Sequence, residues 1–77
     1  MRKEVDINYG VDYERARERL NLVAGAHFRR LYQAKREQAD EATIERLRQA
    51  YRKAQREIDA LSPRDEAAIQ AVLARRV

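Results

Sequence analysis

Seventy-seven residues give room for one domain. With no cysteine and one histidine, disulfides, thiol chemistry and a zinc centre of the usual kind are excluded. The net charge of +4 is interspersed: seven basic and four acidic side chains over residues 11–38, five and five over 39–61, three and two over 62–77.

No run approaches the roughly 18 apolar residues of a membrane span. The opening Met-Arg-Lys-Glu-Val-Asp lacks the apolar centre of a signal peptide, so the expected location is the cytoplasm. The apolar content is poor in bulk: 13 of the 34 apolar residues are Ala, and there is one Phe and no Trp. Ordering a chain this short costs roughly 1.5 kcal/mol per residue, nearly what a small core returns. Association, with itself or with a partner, is therefore expected.

Residues 1–12 read as an arm. Val5, Ile7, Tyr9 and Val11 alternate with Asp6, Asn8 and Gly10, the period of an extended segment. Such an arm packs on helices or adds to the sheet edge of a partner. A first helix is predicted over about 13–37, beginning after Asp12 with Glu14 in its first turn. Its stripe of Tyr13, Ala16, Leu20 and Val23 thickens into Leu20–Phe28, apolar on nearly every side. One face meets the core; the other needs an outside partner. Gly25 costs about 1 kcal/mol of helix propensity relative to Ala. It either breaks the helix or, with Ala24 and Ala26, admits a second backbone at close range.

A reversal is predicted near Glu37–Thr43, because Leu31 and Ile44 would fall on opposite faces of one straight helix. The second helix, about 40–61, has Asp40 as N-cap and Glu41 in its first turn. Ile44, Leu47, Tyr51, Ala54, Ile58 and Leu61 recur at three and four residues, a seam made to lie along another helix. The third helix, about 63–76, is read as starting with Ser62 as N-cap and Pro63 in its first position. Ile69, Val72, Leu73 and Val77 supply its apolar face, and Arg75 and Arg76 suit its C-terminal end.

Little here can carry chemistry. His27 lies in the apolar stretch and has no partner marked by spacing. Glu14 and Glu18 share a face but stand among Arg15, Arg17 and Arg19, the look of a solvated ion-pair lattice. The two glycines are too far apart to cradle a phosphate. No catalytic residue, metal ligand, cofactor or small-molecule substrate is expected, and the chain is read as a non-enzyme.

Two surfaces stand out. Arg48, Arg52 and Arg56 form a ridge on the second helix; with Arg29 and Arg36 they could line phosphates. Residues Ala34–Arg46 also resemble a helix-turn-helix, with Ala34, Ala42, Thr43 and Ile44 of the expected types. That resemblance implies that Glu41, Glu45, Arg46 and Arg48 face a major groove. The stretch departs from the motif at Gln38, where Gly is usual, and at Glu37, where an apolar residue is. A plain hairpin turn is the preferred reading.

The sequence thus predicts a single all-α domain over 1–77: a small antiparallel helical hairpin or three-helix bundle with an extended N-terminal arm. Its expected function is non-enzymatic protein interaction, as an adaptor, inhibitor or antitoxin-like partner. The contact residues would be Ile7, Tyr9, Leu22, Ala26, His27 and Phe28. A homodimer is expected, and a DNA- or RNA-binding regulator using the arginines is the alternative.

Overall fold

The computed structural model describes residues 2–75, with side chains from Gly10 to Arg75. Three helices follow one another: α1 (Arg2–Arg36), α2 (Glu41–Ala60) and α3 (Glu66–Ala74). The all-α hairpin with a third helix is as the periodicity required. The extended arm is not: the helical backbone begins at Arg2. A lone period-two segment has no neighbouring strand to take its backbone hydrogen bonds, whereas joining α1 satisfies most of them within the helix, all but the first-turn N–H groups. The side chains of Ile7 and Tyr9, and the residues Arg76 and Val77, lie outside the described residues.

At about 1.5 Å per residue, 35 residues of α1 extend about 52 Å, nearly the full 56 Å length of the molecule. The radius of gyration, 15.8 Å, exceeds the roughly 11–12 Å of a compact chain this long. The protein is a rod with α1 as its axis. The helix runs through Gly25 without interruption, so the predicted alternative of a break there does not hold.

The reversal occupies residues 37–40. Its hydrogen bonds, Gln38 N–H to Lys35 O (3.1 Å) and Ala39 N–H to Ala34 O (2.9 Å), are the paired bonds of a Schellman cap. Gln38 takes the left-handed conformation (φ 58°) that this cap requires. Asp40 is the N-cap of α2. Its carboxylate accepts the Thr43 hydroxyl at 2.6 Å, and that hydrogen bond holds the acid below the usual carboxylate range.

The seam of α2 does lie along α1. Residue numbers fall along α2 as they rise along α1. Ile44 shares a groove with Lys35, Tyr51 meets Phe28, and Ile58 and Leu61 join Ala16 and Leu20. Two long helices lying antiparallel along their lengths are a hairpin, not the splayed pair of a helix-turn-helix. The resemblance over Ala34–Arg46 is therefore one of residue types alone.

The entry to α3 differs from expectation. Ser62-Pro63-Arg64-Asp65 forms a turn closed by Asp65 N–H to Ser62 O (3.1 Å), with Pro63 at the corner its ring favours. Helix α3 begins at Glu66, and its N-cap is Asp65, whose carboxylate accepts the Ala68 N–H at 3.1 Å. Two capping residues stood three positions apart, and the proline turn decides for the second. At the far end, a cation from another helix meets the last carbonyls. Arg19 of α1 donates to the carbonyls of Leu73 (2.7 Å) and Arg75 (3.0 Å), groups that a helix C-terminus leaves without partners. Arg75 turns away to fork onto Glu57, with its shorter contact at 3.0 Å.

Helix α3 packs on α1. Its Ile69 and Val72 complete a buried cluster with Ala16, Leu20 and Leu61, flanked by Tyr13, Ile58, Ala68 and Leu73. Toward the 37–40 turn the buried residues are smaller: Ala24, Ala34 and Ala54, with Leu31 the one large side chain.

Candidate protein-interaction surface

A helix turns 100° per residue, so α1 can be read as two faces. Ala16, Leu20, Ala24, Leu31 and Ala34 are buried on an arc that faces α2 and α3. The opposite arc carries Glu14, Glu18, Leu22, Gly25, Arg29, Tyr32 and Arg36, separated by three or four residues each. All of these are exposed except Gly25, which is half-buried. The wide apolar stretch predicted at Leu20–Phe28 is thus divided between core and solvent.

The outer arc stays open because α2 and α3 both pack on the opposite side of α1. Nine-residue α3 reaches α1 only around Asp12–Leu20, where Gln70 donates to Asp12 at 3.3 Å and Arg19 holds its end. Beyond that point, among the described residues, α2 is the element that packs on α1. Leu22 is 67% exposed, Phe28 49% and Tyr32 57%, large apolar surface in the segment that α3 does not reach.

The aromatic residues there are organised. Phe28 stacks near-parallel on Tyr32, with centroids 6.4 Å apart, and meets Tyr51 of α2 at 5.5 Å in a tilted arrangement. Both separations suit favourable ring–ring geometry. Arg36 lies 5.9 Å above the Tyr32 ring, within cation–π range. Tyr51 Oη accepts from Gln55 at 2.8 Å. Next to the rings, a shallow groove between the helices is lined by Asn21, Ala24, Gly25, Phe28, Tyr51 and Gln55. Tyr32 was not singled out from sequence, and Tyr51 was read only as part of the α2 seam. Tyr32 sits four after Phe28 on one side of the helix, which is the signal that would have found it.

The predicted contact residues do not share one face. Leu22 and Phe28 flank the outer arc, and Ala26 is half-buried beside Leu22. His27 falls by helical phase in the arc of Leu20 and Leu31, and it is half-buried there. Among the described residues no group of three or more acidic and histidine side chains is placed to hold a metal ion. No described helix is long and apolar enough to cross a membrane.

The predicted basic ridge is less basic in space than in sequence. Arg48 is held by Glu45 at 2.6 Å, and the other oxygen of that carboxylate accepts from Gln49 at 2.7 Å. The Gln49 hydrogen bond, followed by that of Arg48, holds Glu45 below the usual carboxylate range. A charged carboxylate therefore stands within the ridge. Arg52 and Arg56 remain exposed beyond it, and Arg29 and Arg36 lie on the outer arc of α1 instead.

Comparison with known proteins finds no family model, no curated sequence and no solved structure that matches this chain.

Proposed function

We propose that this chain is a small non-enzymatic helical interaction module, an adaptor, inhibitor or antitoxin-like partner, which binds protein through the two-helix half of its hairpin. The observation that carries this reading is the exposure of Leu22, Phe28 and Tyr32, each about half exposed or more, in the segment of α1 beyond its contacts with α3. Large apolar side chains in one exposed stretch are the mark of a contact surface, and aromatic residues with arginines at their edge have the composition of interface hot spots. Nucleic acid is the weaker reading, because Glu45 pairs with the first arginine of the ridge.

The test is capture from host lysate by immobilised chain, comparing wild type with a Phe28→Asp/Tyr32→Asp variant and an Arg52→Glu/Arg56→Glu variant. The aromatic variant is expected to lose its bound protein at any salt concentration, and the arginine variant to keep it. If the arginine variant alone loses its partner, and binding falls steeply with added salt as phosphate neutralisation requires, the module is a nucleic-acid binder and this reading is wrong.

A further inference from the structure

The outer arc of α1 has a symmetry of charge that its core face lacks. Gly25 stands at its middle. Eleven residues before it is Glu14 and eleven after it is Arg36; seven before it is Glu18 and seven after it is Tyr32, with Arg29 one turn from the glycine. The two carboxylates of the arc thus lie on the N-terminal side of Gly25, where Arg15 and Arg17 stand beside them, and the C-terminal side is basic. Glu14, Glu18, Arg29 and Arg36 are all exposed, and among the described residues none of them takes part in an ion pair within the chain.

Gly25 itself has no use inside the monomer. Its φ is not positive, so a side chain would meet no backbone strain. An added Cβ would meet one atom, the mobile guanidinium of Arg29, at 3.5 Å, an ordinary contact. A glycine that costs a helix about 1 kcal/mol, with neither conformation nor internal packing requiring it, fits the close approach of a second backbone.

We infer that the outer arc of α1 binds a second copy of this chain, with the two α1 helices antiparallel and related by a two-fold axis beside Gly25. This rests on the interaction-module reading and names the partner at that surface. A two-fold axis sets positions equally distant from Gly25 at the same height. Glu14 of one copy then reaches Arg36 of the other, Glu18 reaches Arg29 and Tyr32, and Leu22 lies along the stem of Arg29. Each pairing occurs twice. A parallel arrangement would set acid against acid and base against base, and this charge pattern selects against it. The exposed Leu22 and Tyr32 are covered in the same step.

Sedimentation equilibrium over a range of concentrations tests this, with circular dichroism to show that every variant stays helical. The wild type is expected to be a dimer. Glu18→Arg alone and Arg29→Glu alone each set like charges together twice, and should weaken association by roughly tenfold or more. The combined Glu18→Arg/Arg29→Glu variant reverses both partners and should restore it. Gly25→Ala, whose Cβ has room within the monomer, should leave a folded chain that associates more weakly than the wild type. A wild type that stays monomeric at every concentration overturns the inference, as does a dimer indifferent to both single reversals. A combined variant no better than the singles overturns the antiparallel pairing. Capture of a different protein through Phe28 and Tyr32 by such a monomer would leave the interaction-module reading standing, so the two failures are told apart.

Discussion

The two halves of the hairpin are built from the same helices and differ in what closes them. In the half that holds the chain ends, α3 adds Ile69 and Val72 to Ala16, Leu20 and Leu61, and three elements share one aliphatic cluster. In the half near the 37–40 turn, two helices meet through Ala24, Ala34, Ala54 and Leu31, while Phe28 and Tyr32 remain largely outside. Alanine contacts let the helices lie close but remove little apolar area from water, since burial contributes about 25 cal/mol per Å². One half therefore supplies most of the stability, and the other leaves surface free for contact.

Truncation should separate the two halves most sharply. Ile69 is 1% exposed, and Ile69→Ala is expected to cost about 3 kcal/mol. Phe28→Ala, at a half-exposed site, should cost about 1 kcal/mol in dilute solution. Urea melts followed by circular dichroism measure both. Equal losses would mean that the aromatic cluster holds the monomer together as firmly as the aliphatic one does, and the contrast drawn here would be wrong. Against a total stability of about 4–12 kcal/mol for a domain this size, the difference is readily measured.

The turn half can be strengthened without touching its surface. Gln38 sits at φ 58°, a conformation that costs a residue with a Cβ about 1 kcal/mol and glycine very little. Gln38→Gly should raise the urea midpoint by a corresponding amount with unchanged slope. A fall in the midpoint would show that the Gln38 side chain makes a contribution larger than its backbone strain.

The smallest expected effect is one of pH. Asp40 has its folded-state pKa lowered by the Thr43 hydroxyl. A depressed carboxylate contributes stability that is fully present above its unfolded value and lost as pH falls through its folded value. The start of α2 should thus weaken only below the ordinary carboxylate range, and Thr43→Val should bring that loss to higher pH. Hydrogen exchange at the amides of residues 43–46 reports it; exchange there that is the same in both proteins at every pH would remove the Thr43 bond from the account.

Much of the architecture was legible because it is periodic. The seam of α2 predicted a helix lying on a helix, and phase alone required the reversal between Leu31 and Ile44. Asp40 was legible as a cap. The start of α3 was not, since Ser62 and Asp65 both suit an N-cap and only the turn at Pro63 separates them. The arm misled because period two marks an extended segment only when a neighbouring strand accepts its hydrogen bonds. The surface was half legible: Leu22 and Phe28 stood out as excess apolar residues, but Tyr51 meets Phe28 only when the helices pair.

Sequence by itself determined that there are three helices and which side of α2 meets α1, because propensity and periodicity act over a few residues. Tertiary structure alone decided how far α3 reaches along α1, that Arg19 of α1 donates to the carbonyls at its end, and that Phe28 meets Tyr51. These outcomes depend on distances between segments up to 56 positions apart in the chain, where packing in space governs and no local pattern records it.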